Sequence, residues 1–357
     1  MPANFWDGTL AAPTTARARA TVLAALLAFG GCATSVGSLP LLPGPPAAVC
    51  CTRGEDPIQL QYLGVGGWLL RVGESALLTA PFFSNPGLLT VALGRPIRTD
   101  TVAVDRFLPP VDDVEVVLVG HAHYDHLMDV PYLLRSKAPR ARVYGSRTAV
   151  NTLLADPGLD PERLVSVEDA AGDPATPGEW IYAPDGRIRF MALRSEHAPH
   201  FMGIHLYEGQ RDAPPERLPE RPGEWLEGTP LAFLIDVLTP SGEVAYRIHY
   251  QDAASEPPAG FPPHPGDGVP VDLAILCPPG SEEVTAYPEG ILERLRPRAV
   301  LLGHWEDFFQ QRSEPLRGVP GTDLDEFVLR VRAVLGEASF LGMLEPGDGV
   351  VIGPAGP

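Results

Sequence analysis

The chain has 357 residues, 45% of them hydrophobic, enough for one large domain or two ordinary ones with a sizeable core. Its net charge of −18 argues against a nucleic-acid substrate, because phosphate-backbone binding runs on Lys and Arg, but a bound metal can still draw in a small anion. The 41 prolines and 37 glycines predict many turns, not disorder, since apolar strands recur between them.

At the N-terminus, Arg17 and Arg19 precede "ATVLAALLAFGGC", an apolar stretch of signal-peptide length and too short for a stable membrane span. Small residues lead into Cys32, a pattern that resembles a bacterial lipoprotein signal in which that cysteine is lipidated. Phe29 stands where such signals usually carry Leu, and an ordinary secretory signal or an unstructured leader is the competing reading. The expected division is a leader over 1–31, a Pro-rich tether over 32–56 containing "SLPLLPGPPAA", and one domain over 57–357 held at the cell envelope through a membrane lipid anchor. The four cysteines form no CxxC pair, so a structural zinc ribbon is not expected. Cys50 and Cys51 are adjacent, which leaves a vicinal disulfide and two free thiols equally open; Cys277 reads as a buried strand residue.

From residue 57 onward, short strands alternate with turn signals: "IQLQYLG", "WLLRVG", "SALLTA" and "VEVVLVG". Helical stretches follow, "LMDVPYLLRSK" and, after the strand "ARVYG", "SRTAVNTLLADP". A second strand set reads "IRFMALRS", "GIHLYE", "PLAFLIDVLT" and "VAYRIHYQD". It continues with "VDLAILC", the helix "YPEGILERLRP", the strand "AVLLG" and a closing helix "DLDEFVLRVRAVLG". Two strand-rich halves, each followed by helices, predict an α/β chain built as a two-sheet sandwich flanked by helices. "RDAPPERLPERPGEWLEGTP" reads as an inserted surface loop and "AASEPPAGFPPHPGDGVP" as a long irregular one, and loops of that length are often functional.

The densest chemistry follows "VEVVLVG" directly: "HAHYDH" puts His121, His123, Asp125 and His126 into six positions. His121 and His123 alternate and can face one ion, while Asp125 and His126 lie one turn further on and can face a second. Imidazole nitrogen and carboxylate oxygen are the donors zinc favours, and four ligands so close together do not all close on one ion. Three further candidates each follow a predicted strand: His197, Asp252 and His304. Strand ends gathered on one edge of a sandwich are where loops build sites.

This ordered series resembles the metallo-β-lactamase superfamily over roughly residues 58–340. The resemblance implies an αββα sandwich and two metal ions. His121, His123 and His197 would hold one ion, Asp125, His126 and His304 the other, and Asp252 would bridge them. "HYDHL" and "LLTAPFFSNP" look like the branch containing N-acylphosphatidylethanolamine-hydrolysing phospholipase D and ascorbate-6-phosphate lactonase. That branch usually carries an Asp, partner to a metal-bound His, where this chain has Ala80, and a Gly where it has Gln251.

Around the centre, His200 competes with His197 as ligand, and the strand-proximal His197 is preferred because Pro199 bends the chain away before His200. His200, Tyr124 and Trp305 are then candidates for substrate contact. Trp305, Phe308 and Phe309 have helix packing as the competing reading, and Glu306 and Asp307 either support the metal centre or begin that helix. His205 and His249 read as structural histidines inside strands, and His264 as a solvent-exposed loop residue.

The function expected is a dinuclear metal-dependent hydrolase that uses a metal-bound hydroxide, with Asp125 and Asp252 as catalytic carboxylates. Two divalent ions are expected, zinc by donor type, with iron or manganese as supply dictates. A phosphodiester such as a phospholipid-type, lipid-like substrate is the first expectation. A lactone or other cyclic ester is the second, and a non-catalytic metal-binding envelope lipoprotein is the reading from another class.

Overall fold

The structure is a computed structural model that describes residues 52–200, 202–263, 267–336 and 340–354. The leader, most of the tether, Cys32, Cys50, Cys51 and His264 lie outside the described residues.

The first half runs β1 (Ile58–Gly64), β2 (Gly67–Val72), β3 (Ser75–Thr79), α1 (Leu88–Ala92), α2 (Thr101–Phe107), β4 (Val114–Leu118), α3 (Tyr124–Leu127), α4 (Val130–Ser136), β5 (Arg142–Gly145), α5 (Arg147–Leu153) and β6 (Leu164–Ser166). The second half runs β7 (Ile181–Tyr182), β8 (Ile188–Arg194), β9 (Leu231–Leu238), β10 (Val244–Tyr250), β11 (Leu273–Leu276), α6 (Glu289–Leu295), β12 (Ala299–Leu302), α7 (Leu324–Leu335), β13 (Phe340–Met343) and β14 (Gly349–Ile352).

Among the described residues these strands form two seven-stranded sheets, in the orders β14-β1-β2-β3-β4-β5-β6 and β13-β12-β11-β10-β9-β8-β7. Both sheets change from antiparallel to parallel pairing part-way across, at β3–β4 in the first and at β10–β11 in the second. The final strand, β14, pairs antiparallel with β1 and so ties the end of the chain to its first sheet.

Side-chain alternation explains the layers. In β2, Trp68, Leu70 and Val72 point into the core shared with the second sheet, where Phe190, Phe233 and Ile235 lie, while Leu69 points the other way. β4 does the same, with Val116 and Leu118 inward and Val117 outward beneath Val104, Leu127 and Leu133 of the first-half helices. Both faces of the strand are therefore buried, which is why it reads as a near-continuous apolar run. Helices α6 and α7 cover the second sheet through Leu292, Leu295, Phe327 and Val331. The result is the expected αββα sandwich.

Capping follows ordinary rules: the carboxylate of Asp100 accepts from Val102 and Ala103 at α2, and Asp323 accepts from Glu326 at α7.

Two local expectations fail. "GIHLYE" is not a strand: Met202 (φ 46°), Gly203 (φ 72°) and Tyr207 (φ 58°) are left-handed, and Glu283 accepts from both Met202 N and Gly203 N at 2.8 Å. His205 therefore sits in irregular chain, whereas His249 does lie within β10, its Nε2 2.8 Å from the Gly260 carbonyl. No helix follows His304 either. The Glu306 side chain accepts from Val65 N at 2.6 Å and from the Tyr62 hydroxyl, and residue 306 bridges Gly318 instead of starting a helical turn.

Candidate metal centre

The architecture gathers the candidate ligands at one edge. His121 follows β4 by three residues, Asp252 follows β10 by two, His304 follows β12 by two and His197 follows β8 by three. The strands are rigid, so the loops they launch are fixed at their roots. Two cross-sheet backbone bonds also join the loop after β4 to the start of β9 and the segment before it: Leu231 N donates to Gly120 O at 2.7 Å, and Ala122 N to Glu227 O at 2.8 Å.

All seven expected ligands come together. Three overlapping groups have donor atoms within 4.8 Å of one another: His121 with His123 and His197, His121 with His126 and Asp252, and Asp125 with His126 and His304. Asp252 spans the middle, Oδ1 3.1 Å from His121 Nδ1 and Oδ2 3.3 Å from His126 Nδ1. Asp125 Oδ2 lies 3.4 Å from His126 Nε2 and 3.3 Å from His304 Nε2. His197 is half-buried and the other six are buried.

Electrostatics favour positive charge in the middle of this cluster. Burial opposes protonation of His126, yet the Asp125 and Asp252 carboxylates raise its pKa to about 10. Burial also works against ionising Asp252, but His121 and His126 hold it far below the usual carboxylate range. His121 and His197 shift downward instead, first because they are buried and then because other imidazoles crowd them.

Both ring nitrogens of His126 are sealed from solvent without a hydrogen-bond partner, as are His123 Nε2 and His304 Nδ1. Buried polar atoms left this way each cost about 1–3 kcal/mol. A divalent cation satisfies imidazole lone pairs and carboxylate oxygens together, and an all-nitrogen-and-oxygen donor set suits zinc, iron or manganese. The residues fit a metal.

Tautomers separate the two histidines of "EHAPH". His197 Nδ1 lies 2.6 Å from the Ala198 carbonyl and must carry its hydrogen there, which leaves the Nε2 lone pair for the cluster. His200 is the reverse: its Nδ1 accepts from Leu206 N at 3.2 Å, so Nε2 carries the hydrogen, and the ring stacks on His197 with centroids 4.5 Å apart. His197→Ala is therefore expected to lose metal and nearly all turnover. His200→Ala should keep its metal and slow turnover about 10–100-fold. Metal per chain, measured on both variants, checks this, and the opposite pattern would exchange their roles.

His304 is left-handed at φ 56°, as is Val65 (φ 53°), whose carbonyl it meets. Such strain at branched or bulky residues gathers at functional sites when the surroundings hold it in place. Here His304 N donates to Val65 O at 2.8 Å and to Tyr62 Oη at 2.9 Å, and the buried Glu306 carboxylate anchors both partners. Of the two carboxylates after His304, Glu306 supports the loop while Asp307 pairs with Arg317 at 2.7 Å.

Two substrate candidates change character. Trp305 is 0% exposed, belongs to the inter-sheet core and donates Nε1–H to Leu344 O at 3.2 Å, so it does not face a substrate. Tyr124 is buried between Phe82 and Tyr207 and forms wall, not surface.

Several neighbours carried no sequence signal. The Tyr250 hydroxyl lies 3.3 Å from Asp252 Oδ2. Tyr207 sets its ring 5.9 Å from His123. Glu227 approaches the same imidazole, and burial, with Glu208 adding to it, pushes its pKa up to about 7.

No protein-family model and no curated protein matches the chain. Solved structures do. Igni18, a novel metallo hydrolase from the hyperthermophilic archaeon Ignicoccus hospitalis, is 16% identical, with a TM-score of 0.50 over 83% of this chain and 98% of its own. The metallo-β-lactamase fold protein YhfI from Bacillus subtilis is 14% identical, with a TM-score of 0.47 over 82% of this chain and 99% of its own. CmlA, a diiron β-hydroxylase from Streptomyces venezuelae, is 18% identical, with a TM-score of 0.46 over 84% of this chain and 54% of its own. What this chain has in common with Igni18 is its fold, here the two-sheet αββα sandwich.

Proposed function

We propose that this chain is a metal-dependent hydrolase that holds two divalent ions. His121, His123 and His197 would surround one, Asp125, His126 and His304 the other, with Asp252 between them. The observation that carries this reading is the overlap of three donor groups, through shared His121 and His126, into one continuous buried cluster. Two ions held there would supply a hydroxide nucleophile at neutral pH and polarise an oxygen of the substrate.

The chain's own residues do the rest. The Ala198 carbonyl fixes the His197 tautomer, and Asp252 fixes the rings of His121 and His126 from one carboxylate. Tyr62 and Glu306 hold the strained backbone of His304. His200, locked with its hydrogen on Nε2, presents a donor to a substrate oxygen. We assign Asp252, which its neighbours hold ionised, the relay of a proton: its carboxylate would take the proton released as the hydroxide attacks and pass it to the leaving group.

A phosphodiester, lipid-like in character, is the substrate we favour. A lipid anchor at Cys32 would hold the site beside a membrane, and the ions would offset the chain's own negative charge. One observation favours a non-catalytic metal-binding protein instead. His126 Nδ1 and the Ala80 methyl both border Gly66, and no acceptor from position 80 reaches the ring. The test is metal content of the purified protein together with turnover of bis-p-nitrophenyl phosphate, a lactone panel and a β-lactam panel. Two ions per chain with phosphodiester turnover fastest is the expected result. Faster lactone turnover would replace the substrate, and two bound ions with no turnover of any panel would leave the non-catalytic reading.

A further inference from the structure

His123 Nε2 is sealed from solvent without a hydrogen-bond partner, and so is Glu227 Oε2. These two atoms lie 3.9 Å apart, on side chains only 3% and 14% exposed. A neutral imidazole needs an acceptor for whichever nitrogen carries its hydrogen, and a buried carboxylate oxygen needs a donor. Each supplies what the other lacks. The gap is about 1 Å longer than a charge-assisted hydrogen bond, and closing it breaks no existing contact of either atom.

The backbone places Glu227 there deliberately. Its carbonyl accepts from Ala122 N, the residue before His123, at 2.8 Å, and its own N–H donates to Tyr207 O at 2.9 Å. The next residue, Gly228, is left-handed at φ 75° and donates to Gly209 O at 2.9 Å. A Cβ on Gly228 would meet Thr148 Cβ at 2.6 Å and Ser146 Oγ at 2.8 Å, so the loop is seated tightly on the start of α5.

We infer that Glu227 is a positioning residue for His123: its carboxylate takes the Nε2–H of that imidazole and so directs Nδ1 towards His121 and His197. The inference rests on the metal-centre reading above. It gives the inserted loop over residues 211–230 a role in the centre, because the loop supplies the partner that sets one ligand's tautomer. Partners of ligating histidines fix ring orientation and raise basicity, and losing one typically costs about 10–100-fold in metal affinity.

The experiment uses the full chain with zinc as the probe and a competing chelator to resolve the affinities of the two ions. Glu227→Leu should lower the affinity for one zinc about 10–100-fold and leave the other unchanged. Glu227→Gln, whose amide oxygen still accepts a hydrogen bond, should recover most of the loss. The thermal midpoint of the metal-free Leu variant should not fall, because a buried carboxylate without a partner is removed. Unchanged zinc affinity in a folded Leu variant overturns the inference. So does a lowered metal-free midpoint with equal weakening of both ions, which would mark a purely structural role. A parent chain that binds no zinc would instead overturn the metal-centre reading, and this inference with it.

Discussion

Asp252→Ala is expected to strip both ions from the protein and to cut turnover by well beyond the about 10–100-fold that partners of ligands typically cost. The carboxylate sits between the two halves of the cluster, 3.1 Å from His121 Nδ1 and 3.3 Å from both His126 Nδ1 and the Tyr250 hydroxyl. On the proposed two-ion arrangement, removing it takes a donor from both ions at once, and it frees two imidazoles to rotate. The metal-free protein should suffer too. The buried Nδ1 atoms of His121 and His126 lose the carboxylate oxygens that face them at 3.1 and 3.3 Å, and a buried polar atom left without a partner costs about 1–3 kcal/mol. Metal per chain and the urea midpoint of the metal-free variant measure the two effects separately. An Ala variant that still carries two ions would show that Asp252 does not lie between them.

Gly120→Ala should reach a similar metal loss without touching any ligand. A Cβ at Gly120 would lie 2.3 and 2.4 Å from the two carboxylate oxygens of Asp252 and 2.5 Å from its Cγ. Gly120 is not among the left-handed glycines, so space alone requires glycine here. The carboxylate has no easy retreat, because both oxygens face imidazoles and one also meets Tyr250. Overpacking of this kind costs about 1–3 kcal/mol, a size the αββα core can absorb, so the variant is expected to fold with less than one ion per chain. Gly87→Ala, where an added Cβ meets nothing within 4 Å, is the control and should match the parent in metal and turnover. Full metal content in Gly120→Ala would mean that the loop before His121 yields more readily than the packing implies.

The sequence by itself determined the strand plan and which donor side chains gather at one edge. Strands such as β2 and β4 announce themselves because each residue's face is set by a two-residue period, and both faces are buried against different layers. "HAHYDH" was legible for a related reason: four donors packed into one turn have few uses apart from a cation. His197, Asp252 and His304 could be located because each follows a strong strand within three residues, where the backbone is still directed by the sheet.

Only the tertiary structure decided what depends on partners far along the chain. "GIHLYE" alternates like a strand, but the Glu283 carboxylate captures Met202 and Gly203 and turns the backbone left-handed. "HWEDFF" looks like the start of a helix, but Glu306 is drawn to Tyr62 and Val65, and Trp305 is drawn into the core between the sheets. The closing strand β14 finds β1 from the opposite end of the chain, a pairing that no local pattern encodes. Glu227 and Gly120 belong to the same class. Their identities matter through a 3.9 Å approach to His123 and a 2.3 Å exclusion beside Asp252, distances that exist only after two sheets have been packed together.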